Sequence, residues 1–142
     1  MSENEDQCEI INKMTLKVTT GKKWGSDNDD PVKLYIGEHE WDLDNPFCDD
    51  FKKGKTDTFE LDIPEGFTSD WFHYLCLKKE QALSKDKWLL TRVILEVNDR
   101  VIYDSGDMEF WFQGSNINWC AKDFNYGKCR GDVSPDFDVK KW

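Results

Sequence analysis

The sequence predicts an all-β fold, an antiparallel β-sandwich of two sheets. Three observations carry that expectation: apolar and polar residues alternate with period two along most of the chain, turn-forming residues interrupt the alternation at short intervals, and no segment shows a 3.6-residue apolar stripe. The 142 residues are what one core needs and leave little room for a second. Hydrophobic residues make up 38% of the chain and aromatics 14%, enough apolar volume to fill that core and to argue against wholesale disorder.

The strands follow in order. Met14, Leu16 and Val18 alternate with Thr15, Lys17 and Thr19, then Val32, Leu34 and Ile36 repeat the pattern, and Trp41 and Leu43 continue it. Phe59, Leu61 and Ile63, separated by Glu60 and Asp62, give the cleanest alternation. Residues 72–77 form a more continuous apolar run, and 89–97 are long and β-branched. Val101-Ile102-Tyr103 continues that strand across Asn98-Asp99, a pair that tolerates positive φ and suits a tight hairpin. Residues 109–112, with Phe110 and Phe112 on one face, close a set of eight strands. One face of each strand must leave water, so Leu16, Val18, Leu34, Phe59, Leu61, Val93 and Leu95 are expected in the core. Residues 1–13 read as an acidic leader, 14–119 as the sandwich, and 120–142 as a C-terminal extension of mixed Gly, Asp, Lys and isolated aromatics.

A formal net charge of −10 argues against nucleic acid, whose phosphates need Lys and Arg, and against simple electrostatic attachment to anionic lipid. No apolar run approaches the roughly 20 residues of a membrane-spanning helix. The opening Met1-Ser2-Glu3-Asn4-Glu5-Asp6 is the opposite of a secretory signal, which implies the cytoplasm if that terminus is native and secretion if a signal has been removed. The five cysteines cannot all pair internally and include no Cys-x-x-Cys unit. Cys76, among apolar neighbours, reads as core filler. Cys120 and Cys129 suit a disulfide in an oxidising compartment or remain reduced thiols. Of the two histidines, His39 is expected in a turn beside Glu38 and Glu40, and His73 in the strand 72–77. Neither has a partner at metal-ligand spacing, and there is no Gly-x-Ser-x-Gly elbow or phosphate-binding glycine loop. The chain reads as a non-enzyme.

The aspartates carry more information. If every connection reverses the chain, the loops 24–31, 44–55, 78–87 and 104–107 share one end of the sandwich. They hold Asp27, Asp29, Asp30, Asp44, Asp49, Asp50, Asp86, Asp104 and Asp107. Converging carboxylates repel one another unless a cation sits between them, and Ca²⁺ accepts such oxygens in irregular geometry. Equally, Asp and Asn form good turns and stay solvated. Both readings stand on the pattern alone.

Trp41-Asp42-Leu43-Asp44-Asn45-Pro46, followed by Asp49-Asp50-Phe51, Gly54-Lys55 and Asp57-Thr58-Phe59, resembles the calcium-binding C-terminal domain of the clostridial alpha-toxins, in the PLAT or lipoxygenase-homology (LH2) family. Gly21-Lys22-Lys23 and Gly25-Ser26-Asp27 look like that family's first loop, and the order from Asp86 to Asp104 also agrees. The resemblance runs from about Thr15 to Asn118 and implies a sandwich of two four-stranded sheets. It also implies Ca²⁺ as cofactor, held by Asp44, Asn45 and Asp50, with Asp49 in the place of an amide ligand and Asp27, Ser26 and Asp86 from two further loops. Lys23 stands where relatives carry an Asp, and the loop 44–50 is one residue longer than theirs. Relatives turn this rim to phospholipid, and here Trp24, Phe47 and Leu83 are the apolar side chains for such a contact. The implied function is a non-catalytic, calcium-dependent binding module, monomeric and without affinity for nucleic acid. It docks onto a phospholipid surface or a protein partner through its acidic loops. The alternatives are a metal-free protein-interaction adaptor and a carbohydrate-binding module using Trp111 and Trp119.

Overall fold

The computed structural model describes residues 10–28, 31–44, 50–68, 74–80, 87–114 and 116–121. Among these, nine strands follow one another: β1 (Met14–Thr20), β2 (Val32–Ile36), β3 (His39–Asp42), β4 (Thr56–Leu61), β5 (Leu75–Lys79), β6 (Trp88–Val97), β7 (Arg100–Asp104), β8 (Phe110–Phe112) and β9 (Asn118–Cys120). They form an antiparallel β-sandwich. One sheet has the order β4-β1-β6-β7 with β8 also paired to β6, and the other has the order β3-β2-β5-β9.

Alternation decides what lies between the sheets. Leu16, Val18, Leu34, Val93 and Leu95 are wholly buried, and Phe59 and Leu61 nearly so. In register, Leu16 stands between Phe59 of β4 and Leu95 of β6, so one layer of the core is set across three strands. The Asn98-Asp99 hairpin forms as the sequence predicts, with φ of 51° and 65° at its two corner residues. Its Asn98 side chain also accepts the N–H groups of Asn12 and Lys13 at 2.8 and 3.2 Å and donates to the Ile10 carbonyl at 2.8 Å. That clamp seats Ile11 in the core.

The structure departs from the sequence expectations in four places. A ninth strand, β9, gives sheets of five and four strands instead of four and four. Its three residues were too short and too polar to register as a strand. Second, the connection 104–107 does not reverse the chain. β7 pairs with Ile94–Val97 of β6 and β8 with Trp88–Leu90, both antiparallel, so the run 100–112 follows one edge of β6 with a bulge in the middle. The connection that joins those after β1, β3 and β5 at one end of the sandwich is therefore 113–117. Third, His39 opens β3 instead of sitting in a turn, and its ring lies edge-on to Phe67 with centroids 4.9 Å apart. His73, Cys8, Cys48 and Cys129 lie outside the described residues.

The fourth departure is chemical. Cys76 is fully buried as expected, but it is disulfide-bonded to Cys120, the residue facing it in the β5–β9 register. Leu75 and Leu77 take the inner face of β5, so Cys76 lies on the other. The two Cα atoms are 4.1 Å apart, and the ladder bonds from Ala121 N to Leu75 O and, three residues beyond Cys76, from Lys79 N to Ile117 O make Cys76–Cys120 a non-hydrogen-bonded pair. Facing residues come closest at such non-hydrogen-bonded pairs, where a disulfide fits without moving the strands. The bond closes a loop of 44 residues. Cys120→Ser is expected to lower unfolding stability by about 2–4 kcal/mol. Denaturant titration of the variant, beside far-UV circular dichroism showing an unchanged sheet signal, checks this.

Candidate functional site

The end of the sandwich where β1 finishes is organised around a set of aromatic rings. Trp88 is fully buried, stacked on Phe112 at 4.7 Å and met edge-on by Phe51 at 4.9 Å. Its indole N–H donates to the Thr20 hydroxyl at 2.9 Å, which satisfies the one polar atom the ring brings inside. Beyond Thr20 the chain leaves the sheet at Gly21. A Cβ there would run into the buried Leu89 side chain, so a larger residue forces Leu89 to shift, while Gly21 N–H donates to the Leu89 carbonyl at 2.9 Å.

The first loop then turns at Trp24-Gly25, where Gly25 takes a φ of 82°. Trp24 is 92% exposed at the tip and covers no part of the core. Ser26 folds back beneath it. Its N–H and its hydroxyl both donate to the Lys23 carbonyl, at 3.1 and 2.6 Å, and its own carbonyl accepts the Leu89 N–H at 3.2 Å. Lys23 pairs with Glu109 at 2.9 Å.

The first and third loops are stitched together. Asn28 N–H donates to the Phe51 carbonyl at 3.0 Å, and the Asp27 carboxylate accepts the Lys53 N–H at 2.8 Å. Phe51 adopts a left-handed φ of 60°, and its N–H donates to the Asp57 carboxylate at 2.8 Å. Burial raises the Asp57 carboxyl above its ordinary value; the Phe51 N–H opposes that rise, and the charge of Asp50 adds to it. Asp57 is the member of this site that sequence reasoning passed over. It stands two residues before Phe59 on the inward face of β4, a placement legible from alternation once inward carboxylates are sought.

Asp27, Asp50 and Asp57 thus lie on segments brought together by backbone bonds. Ser26 is buried with its hydroxyl turned inward. Asp44 is exposed and lines a groove between β3 and β4. Asn45, Asp49, Asp86, Phe47 and Leu83 lie outside the described residues. An all-oxygen donor set of this kind suits a hard cation such as Ca²⁺. Among the described residues, no three His, Cys, Asp or Glu side chains are grouped to hold an ion.

Asp104 serves a different purpose, in the bulge beside β6. Its two oxygens accept Arg92 Nε and Nη2 at 2.9 and 2.7 Å, and it also accepts the Gly106 N–H at 2.9 Å. The hydrogen-bonded guanidinium, aided by that N–H, holds the carboxyl down to about 2.

The two aspartates shape acid stability with opposite sign. Asp104 has a folded value below the ordinary one of about 3.9, so its contribution is present above that pH and is lost as pH falls toward 2. Asp57 has a raised folded value, so the fold is favoured while it is protonated and loses stability as pH rises through that value. In chelator, Asp57→Asn, which keeps an acceptor for Phe51 N–H, is expected to raise the melting temperature at pH 7 and leave it unchanged at pH 3. Asp104→Asn should lower it at pH 7, with the deficit shrinking toward pH 2. Thermal melts across that range check both.

Several solved structures share the architecture. An alpha-toxin from Clostridium absonum superposes with a TM-score of 0.69 at 18% identity, over 84% of this chain and 33% of its own. The alpha-toxin of Clostridium perfringens, from avian strain SWCP, gives 0.69 at 20% identity, over 85% and 34%. Coral 8R-lipoxygenase, described as activated by calcium through a C2-like domain, gives 0.61 at 18% identity, over 77% and 16%. The chain therefore spans about a third of the toxins and a smaller share of the lipoxygenase. No curated protein matches the sequence. The PLAT/LH2 domain profile matches residues 14–125, most of the chain, and the protein thus belongs to the PLAT/LH2 family, whose domains are non-catalytic binding modules.

Proposed function

We propose that the protein is a calcium-dependent binding module that docks onto phospholipid through the loop end of its sandwich. The observation that carries this reading is Trp24. It is 92% exposed at the tip of a loop whose base is tied by hydrogen bonds to the segment of Asp50 and Asp57. A large indole held in water on a braced loop has apolar area to give to an interface, and its loop is tied to the acidic segment 50–57. Asp27, Asp44, Asn45, Asp49, Asp50 and Asp86 supply the ligands. Ser26 fixes the turn that presents Asp27, and Asp57 adds negative potential from behind. Phe47 and Leu83 extend the contact begun by Trp24. The calcium activation ascribed to the C2-like domain of coral 8R-lipoxygenase supports the choice of cation. The Cys76–Cys120 disulfide supports an oxidising compartment. The carbohydrate-binding alternative loses one of its two platforms, because Trp119 is buried against the core.

Charge makes the two halves of the mechanism depend on each other. At a net charge of −10 the free protein is repelled by anionic vesicles. Bound Ca²⁺ neutralises the acidic loops and bridges to lipid phosphates. Insertion of one aromatic side chain adds roughly 1.5–3 kcal/mol of apolar burial, too little by itself for stable attachment.

In protein first stripped with chelator, millimolar Ca²⁺ should raise the melting temperature by mass action, and Mg²⁺ should do so less because it keeps its waters. Cosedimentation with phosphatidylserine-containing vesicles should pellet wild type with Ca²⁺ only. Trp24→Ala/Phe47→Ala should keep the thermal response to Ca²⁺ and lose the pellet. An unchanged melting curve removes the calcium reading. A calcium response with wild type left in the supernatant moves the proposal from lipid to a protein partner.

A further inference from the structure

A sandwich has two lateral seams, and among the described residues only one of them is closed. On the β7–β9 side, Trp119 is buried and its ring meets Tyr103 at 6.3 Å. On the other side the edge strands β3 and β4 flank a groove of about 550 Å³. Trp41 and Ile63 supply its apolar surface, and the Trp41 indole N–H spans the seam to the Asp62 carbonyl at 2.8 Å.

Both strands turn unused backbone groups toward this groove. In the β2–β3 ladder, Leu43 N–H donates to Val32 O, which makes Leu34–Trp41 and Ile36–His39 the hydrogen-bonded pairs. The N–H and C=O groups of Glu40 and Asp42 therefore point away from β2. In the β1–β4 ladder, Thr20 N–H donates to Lys55 O, which makes Leu16–Phe59 a hydrogen-bonded pair and turns the backbone of Glu60 away from β1. The backbones of these three residues have no partner among the described residues. An edge of this kind is a template for one more strand.

Charge selects what the strand must carry. Glu40, Asp42, Asp44, Glu60 and Asp62 line the groove. The chain already places an ammonium among two of them: Lys33 Nζ lies 3.6 Å from Glu40, 3.8 Å from Asp42 and 3.5 Å from Glu80. Among the described residues, Asp44, Glu60 and Asp62 have no Lys or Arg within 4 Å. One lysine thus shows how an ammonium sits at this rim, while most of the negative charge is left over. A groove that pairs open strand edges with an indole face and excess carboxylates fits an extended chain with Lys or Arg at alternate positions.

We propose that the β3–β4 seam is a docking site for an extended basic segment of a protein partner, which adds to the sandwich as a further strand. This surface shares only Asp44 with the calcium ligands proposed above, and docking on it does not require calcium. The probe is a fluorescein-labelled octapeptide of alternating Lys and Val, titrated into the full chain in chelator and followed by anisotropy and by amide chemical shifts. The expected result is saturable binding, with shifts at Glu40, Asp42 and Glu60. Affinity should fall at least tenfold for Asp42→Asn/Asp62→Asn but less than twofold for Asp99→Asn/Asp107→Asn, which removes the same charge elsewhere on the surface. N-methylation of alternate peptide amides, which spares charge and removes backbone donors, should abolish binding. The proposal is overturned if the peptide does not bind, if both double variants weaken it equally, if the N-methylated peptide binds as well, or if the shifts map to the Trp24 loop. Melting curves establish that each variant is folded before it is titrated.

Discussion

Burial of the Trp88 indole is the constraint from which the loop end is built. A ring of that size is accommodated between the sheets only because Phe112 stacks on it, Phe51 meets it edge-on and Thr20 takes its N–H. Phe51 belongs to the loop before β4, so filling the core pins that loop. Its left-handed backbone then directs its N–H to Asp57 and its carbonyl to Asn28. The residue after Trp88 acts likewise on the first loop, since Leu89 binds Ser26 with its N–H and Gly21 with its carbonyl. Packing in the interior and the presentation of Trp24, Asp27 and Asp50 at the surface are therefore one arrangement. A substitution at Trp88 or Phe51 acts on the loops without touching a charged residue.

The second sheet is held differently. Its edge strand β9 has three residues, too few for ladder bonds alone to secure it. The Cys76–Cys120 disulfide adds a covalent tie and Trp119 an apolar one. Together they close one seam of the sandwich. The other seam is bridged by Trp41, with acidic side chains along it. The asymmetry between the two seams gives the domain a candidate interaction surface in addition to its loops.

Membership in the PLAT/LH2 family at 18–20% identity to solved structures is intelligible in these terms. The fold asks for apolar residues at alternate positions and for turns that admit positive φ, and many sequences satisfy both. In the first loop, the Lys23 ammonium is paired with Glu109 from beside β8. Local charge at that point is settled within the protein itself.

By itself the sequence determined the inward and outward faces of the strands. Leu16, Phe59 and Leu95 were placed in the core by period two, and the Asn98-Asp99 hairpin by the positive φ its residues tolerate. The acidic first and third loops were legible in the same way, because turns recruit Asp and Asn for local reasons. What alternation cannot state is which strand lies beside which, since the period is the same whoever the neighbour is. Pairing across 44 residues gave Cys76 its partner. Pairing along β6 turned the 104–107 connection into a bulge, and its Asp104 into the clasp on Arg92. Asp57 shows the same limit from the other side: its inward position was readable, but its part in the site depends on Phe51, whose backbone is fixed by a ring packed against Trp88. Faces are a property of the local backbone; neighbours are settled only when the two sheets close on each other and the core is filled.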